Sequence, residues 1–171
     1  GLCFIRIIWK SNVDHGMNAI FKKLNYKDQK KLFIINAPRS FEKEIEEMRS
    51  LASIRTSLAL AREVEFFLSF VTKQQEVDDL IKKVTSIIKG DGLVWFAYPK
   101  GTSKKYSCEF NRDTGWDELG KHGFEGVRMV AIDEDWSAIR FRRAENIRSM
   151  TRSFAMSESG KKKVAATKNS R

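Results

Sequence analysis

The stretch from Val64 to Ala97 restricts the fold more than any other part of the chain. It reads "VEFFLSFV", then a helical pattern over Gln74 to Lys89, then "LVWFA". The two outer runs are short and rich in aromatic and β-branched residues, so they read as buried strands. Between them Val77, Leu80, Ile81, Val84, Ile87 and Ile88 recur at helical spacing on one face, and "KGDG" breaks the pattern. Strand, amphipathic helix and strand in this succession argue for parallel pairing, in a sheet whose two faces must both be covered.

The same alternation extends in both directions. Met17, Ile20, Phe21 and Leu24 mark a short amphipathic helix over 17–26, and Leu32 to Ile35 is a compact strand stopped by "NAPRSF". Ser40 stands where it could cap a helix starting near Phe41, whose early acidic residues suit the positive end of the helix dipole. Ser57 to Ala61 reads as a weak strand and Trp116 to His122 as a short helix. Val127–Ile132 and Ala138–Arg143 flank "DEDW" as an antiparallel hairpin. The expected class is α/β: a Rossmann-like three-layer sandwich, mostly parallel, with the C-terminal hairpin adding an antiparallel edge strand.

At 171 residues the chain suits one domain, expected over 17–156. Residues 1–16 precede the first amphipathic pattern and are expected to lie outside the core; Leu2 to Trp9 is too short, too interrupted by Arg6 and too poor in cleavage signals for a secretory leader. No apolar run approaches bilayer length. The formal charge is +10, and the segment 157–171 concentrates Lys161, Lys162, Lys163, Lys168 and Arg171 against Glu158. That segment reads first as a solvated, flexible tail, and second as an arm for nucleic acid. Cys3, Cys108, His15 and His122 have neither a disulfide framework nor zinc spacing, so a reducing cytoplasm is the simplest home.

In parallel α/β sheets ligands bind beyond the carboxyl ends of the strands. The abrupt end of "LVWFAYPKGTSKK" lies at such an edge. Lys100, Lys104 and Lys105, with Asn36, Arg39 and Ser40 from the first strand's end, form a candidate anion-binding rim, with Tyr98 or Trp136 as a wall. Lysines after a strand are more simply solvated, and both readings stand at this point. Asp133, Glu134 and Asp135 could hold a hard cation or act as an acid/base pair, but consecutive acids in a tight turn are first of all turn formers. Asp133 is therefore kept only as a ligand-edge candidate, and no metal site is expected. Trp95, Trp116 and Trp136 read as core before stacking platforms.

The order of helix, "IIKGDGLVWFAYP", short helix, "VRMVAIDEDW" and "SAIRFRR" resembles the second half of the Rossmann-like methyltransferase fold. More narrowly, "INAPRSF", "LVWFAYPKGTSK" and "AIDEDWSAIRF" resemble the sequence blocks of a small bacterial family of unknown function, over Lys31 to Arg143. The resemblance implies a truncated methyltransferase-like fold and no particular reaction. The chain departs from working methyltransferases at one telling place. A donor of the adenosylmethionine type needs a glycine-rich turn after the first strand, where backbone approaches ligand closely, yet this turn is Asn36-Ala37-Pro38-Arg39-Ser40. Between that turn and Val64 there is room for only one helix and one weak strand.

No other chemistry has its motif. Ser103, Ser107 and Cys108 lack a nucleophile elbow, and no phosphate-cradling loop or dinucleotide fingerprint occurs. The sequence identifies no cofactor. It points to a non-catalytic module binding a small anionic ligand or a protein partner, with a nucleotide-cofactor enzyme and a nucleic-acid binder as the alternatives.

Overall fold

The computed structural model describes residues 17–147. The expectations for 1–16 and for the basic tail, and the last residues of the expected domain, lie outside these residues. In chain order the elements are helix α1 (Ala19–Lys23), strand β1 (Lys31–Ile35), a 3-10 turn (Arg39–Phe41) running into α2 (Glu42–Met48), β2 (Ser53–Arg55), β3 (Val64–Phe70), α3 (Gln74–Ile87), β4 (Ile88–Pro99), α4 (Asp117–Lys121), β5 (Phe124–Ala131), β6 (Trp136–Arg143) and a closing 3-10 turn (Ala144–Asn146).

All six strands join one sheet in the order β2-β1-β3-β4-β6-β5. The pairs β1 with β2, β1 with β3 and β3 with β4 are parallel, whereas β6 runs antiparallel to both β4 and β5. This is the Rossmann-like α/β class with an antiparallel pair at one end, the methyltransferase-like arrangement expected from the sequence. The antiparallel strand is internal, however, and the edge belongs to β5. A tight turn makes β5 and β6 neighbours without deciding which one meets β4. Burial decides it: Trp136 to Ile139 are all buried, whereas Val127, Arg128 and Met129 are exposed.

Parallel strands are covered on both faces, and the alternation along β1 divides accordingly. Leu32 and Ile34 join Phe21, Leu24, Phe41, Ile45 and Met48 from α1 and α2 on one face. Phe33 and Ile35 join Val77, Ile81 and Val84 of α3 on the other. The helical stripe read from the sequence thus seals the second face, and each fully buried large side chain contributes about 1.5–3 kcal/mol of transfer free energy. α1 is fixed at both ends. Asn18 Oδ1 accepts from the amides of Ile20 (2.9 Å) and Phe21 (3.2 Å), and Trp95 Nε1 donates to the Leu24 carbonyl at 2.9 Å.

Three local expectations need correction. Ser57–Ala61 is not a strand: the pairing partner of β1 is Ser53–Arg55, and the apolar signal came from Leu58, a single buried anchor in a connection. Ser40 caps no helix. It lies inside the 3-10 turn, and no side-chain bond caps the start of α2 at Phe41. "KGDG" does not precede β4 but lies within it. Val64 pairs with Ile88 and Phe66 with Leu93, so Lys89–Gly92 is looped out of register, with Gly90 at φ +53°.

Candidate functional site: the carboxyl edge of the sheet

The chain passes outward from β1 to β2, then returns across β1 to enter β3 on its far side. That reversal places a topological switch point between β1 and β3, the location where open α/β sheets hold ligands. The two faces of the sheet treat this edge differently.

On the α3 face the edge is filled by the chain itself. Glu109 Oε2 accepts from the Gln74 amide at 2.8 Å, and Glu76 Oε1 accepts from the amides of Lys73 (3.0 Å) and Thr72 (3.2 Å). The first amide of α3, at Gln74, therefore already faces Glu109, and the two amides just before the helix face Glu76, at an end that would be a ready anion site in an empty crevice. The segment carrying Glu109 is anchored by its amide bond to the Thr72 carbonyl at 3.0 Å and by the Gln74 side chain, which donates to Gly115 O at 2.8 Å. Gly115 is required here: its φ is +91°, and a Cβ would meet Phe110 Cβ at 2.6 Å.

Behind these bonds the rings of Phe110 and Trp116 lie 5.0 Å apart, and Trp116 packs on Phe96 (5.7 Å), Tyr98 (6.0 Å) and Phe141 (5.1 Å). Tyr98 is consequently core, and burial pushes its phenol above the ordinary value. Burial also raises the Cys108 thiol, the opposite of what a nucleophilic cysteine needs.

The other face keeps a polar rim. Asn36, in the left-handed region at φ +57°, turns the chain out of β1 and leaves Arg39 and Ser40 exposed. Across β3, the half-buried Lys100 is held by its own backbone: its amide donates to Asp135 O at 2.7 Å, and its carbonyl accepts from Ser103 N at 3.0 Å. Ser103 Oγ donates to Asp135 Oδ1 at 2.8 Å, tying the lysine loop to the β5–β6 turn. Asp133 Oδ1 accepts from the amides of Asp135 and Trp136, both at 2.8 Å, which is a turn role. Among the described residues no group of His, Cys, Asp and Glu is arranged to hold a metal ion.

Beneath this rim runs a line of rings: Phe41 to Phe70 at 5.0 Å, Phe70 to Trp136 at 5.1 Å, Trp136 to Tyr106 at 4.9 Å. Trp136 is only 3% exposed, yet its indole Nε1–H has no acceptor among the described residues. β3 separates β1 from β4, about 10 Å across the sheet, and the register carries Lys100 three residues further along than Asn36, so the two leave the sheet about 14 Å apart. Asn36, Arg39 and Ser40 follow the end of β1, Lys100 follows the end of β4, and Asp133 and Trp136 stand in and after the β5–β6 turn that Lys100 bonds, so all six adjoin the carboxyl edge, with Trp136 in the cluster of the α1–α2 face. The fold sets Tyr98 on the opposite face, and leaves Lys104 and Lys105 exposed on the loop.

A cleft of about 1010 Å³ elsewhere went unread at the sequence level. It lies at the starts of β1 and β3 and is lined by Lys31, Phe33, Ile54, Arg55, Glu65 and Leu60, the last 95% exposed. Its signal was the short passage between β2 and β3: Thr56 to Glu63 crosses the sheet face with no helix.

No protein-family model matches the sequence, and no curated protein is significantly similar to it. Solved structures with a similar fold include N-methyltransferase NodS from Bradyrhizobium japonicum, at 18% identity and a TM-score of 0.40 over 66% of this chain and 73% of that one. The Methanococcus jannaschii fibrillarin pre-rRNA processing protein is similar at 15% identity and a TM-score of 0.40, over 64% of this chain and 54% of that one. A protein of the NADB-Rossmann superfamily from Streptococcus agalactiae gives 11% identity and a TM-score of 0.40, over 74% and 68% of the two chains.

Proposed function

We propose that this chain is a non-catalytic binding module of the cytoplasm, built on a methyltransferase-like α/β sheet, which takes a small anionic ligand at the rim formed by Arg39 and Lys100. The observation that carries the reading is the occupancy of the α3 N-terminus by Glu109 and Glu76. A nucleotide-type cofactor would need that corner for its own charge, and two carboxylates repel a phosphate or carboxylate there. Asn36-Ala37-Pro38 adds to this, because every side chain in a non-glycine turn holds a ligand away from the backbone.

The rim on the other face retains what an anion needs. Arg39 and Lys100 both extend from strand ends at this edge, neither has an ion-pair partner among the described residues, and the Trp136 indole N–H lacks an acceptor among them. A guanidinium and an ammonium over an aromatic floor fit a carboxylate or phosphate group better than a neutral ligand.

The competing reading is an enzyme that holds a cofactor of the adenosylmethionine type, favoured by the exposed turn beside the switch point. Calorimetry separates the two. Titrating adenosylmethionine into the full chain is expected to give no saturable heat, and saturable heat at micromolar ligand refutes the non-catalytic reading.

A further inference from the structure

At the far end of the sheet the register sets two arginines directly opposite each other: Arg128 of β5 faces Arg140 of β6. Both lie on the face occupied by Val130, Ala138 and Trp95, and Arg140 is also the cross-strand partner of Trp95. Like charges directly opposite in an antiparallel pair destabilise it, so the arrangement calls for a compensating charge.

The neighbouring arginine has one. Arg142, two residues along the same strand face, makes a two-pronged contact with Asp91. Neither Arg128 nor Arg140 has a carboxylate in ion-pair contact among the described residues. Arg128 donates instead to the neutral Asn25 Oδ1 at 3.1 Å, from a loop where Asn25 adopts φ +63° immediately after the Leu24 carbonyl bonds Trp95. Arg140 is partly buried, and its Nε–H has no hydrogen-bond partner among the described residues. Burial first, then Arg142, press its guanidinium below the ordinary value.

We propose that Arg128 and Arg140, with Asn25 as their support, form a binding site for a phosphate-class oxyanion on the β5–β6 face, separate from the strand-end rim. A dianion between two guanidiniums takes hydrogen bonds from both, turns their repulsion into attraction, and supplies the acceptor that Arg140 Nε–H lacks. Asn25 holds Arg128 in place through its side-chain oxygen, which leaves the remaining guanidinium N–H groups for the anion.

The test is thermal unfolding of the full chain in inorganic pyrophosphate, against sodium chloride of equal ionic strength. Ligand at a hundredfold excess over Kd should raise the parent's Tm by several degrees beyond the salt control. The part of that rise that survives in Lys100→Ala should be lost when Arg128→Gln, an exposed position safe for folding, or Arg140→Gln is added to it. Without pyrophosphate, Arg128→Gln should melt no lower than the parent, because it removes a like-charge contact. A parent with no rise beyond the salt control overturns the proposal, as does an Arg128→Gln protein that keeps the full rise. A rise abolished by Lys100→Ala and retained in Arg128→Gln also overturns it, and assigns the anion to the strand-end rim instead.

Discussion

Replacing Trp116 by alanine tests whether the segment from Tyr106 to Trp116 is part of the packed edge rather than a loop lying over it. Trp116 is 2% exposed and has four aromatic neighbours, with ring centroids at 5.0 Å (Phe110), 5.1 Å (Phe141), 5.7 Å (Phe96) and 6.0 Å (Tyr98). Truncating a buried tryptophan to alanine costs about 3–5 kcal/mol. The four ring pairs, at about 0.5–1.5 kcal/mol each beyond area burial, come to roughly 2–6 kcal/mol, so the cost belongs at the upper end of the truncation range. Against a total stability of about 5–15 kcal/mol this is a large share, and Tm should fall by roughly 10 °C.

The conservative change Trp116→Phe keeps most ring contacts and loses the Nε1–H bond to the Asn111 carbonyl, at 3.0 Å. It should cost about 1–2 kcal/mol. Urea unfolding followed by far-ultraviolet circular dichroism measures both, and avoids the tryptophan fluorescence that the substitutions alter. An alanine variant that loses less than about 1 kcal/mol at unchanged m would refute the packing argument, and with it the claim that this segment closes the edge.

Two further outcomes follow from the same edge. In an Arg128→Gln background, which removes the site proposed on the β5–β6 face, Lys100→Ala should abolish binding of inorganic phosphate in calorimetry while changing Tm by no more than about a degree, because a partly exposed lysine contributes little to folding; affinity equal to that of Arg128→Gln alone would sink the rim. The second concerns Tyr98, whose folded-state pKa is raised by burial above the ordinary tyrosine value of 10.0. Its contribution to stability is fully present below pH 10.0 and is lost as pH rises from there through the higher folded value, so the Tm of the parent should fall more steeply above pH 10 than that of Tyr98→Phe.

The residues that wrote the fold most plainly were those whose pattern is local. "VEFFLSFV", the α3 stripe and "LVWFA" announced a parallel unit because strand and helix periodicities differ and each is satisfied within a few residues. The shortening of the usual second strand–helix unit was legible as well, since the turn after β1 and Val64 leave room for only one helix and one weak strand; its consequence, a cleft lined by the passage from Thr56 to Glu63, was not. Ser40 misled because its residue type suits a cap, yet whether a hydroxyl caps a helix depends on the angle at which the chain enters it, and a 3-10 turn changed that angle. "KGDG" misled for a similar reason: glycines mark a break in pattern, and only pairing with β3 shows that the break is a loop-out within one strand.

The candidate site divides the same way. The sequence by itself determined that Arg39, Lys100 and Trp136 would come to the carboxyl edge of a parallel sheet, because strand ends and their flanking turns are local features and a parallel sheet aligns all such ends on one side. Tertiary structure alone decided which face each occupies. Tyr98 and Trp136 both read as ring walls, but the pleat sends them to opposite faces, into different clusters. Only the folded chain seats Glu109 on the first turn of α3, thirty-five residues from Gln74 in sequence, and only strand register sets Arg128 against Arg140. Both are contacts between distant segments, fixed by where the sheet places its ends and edges, and no local pattern of residue types encodes that placement.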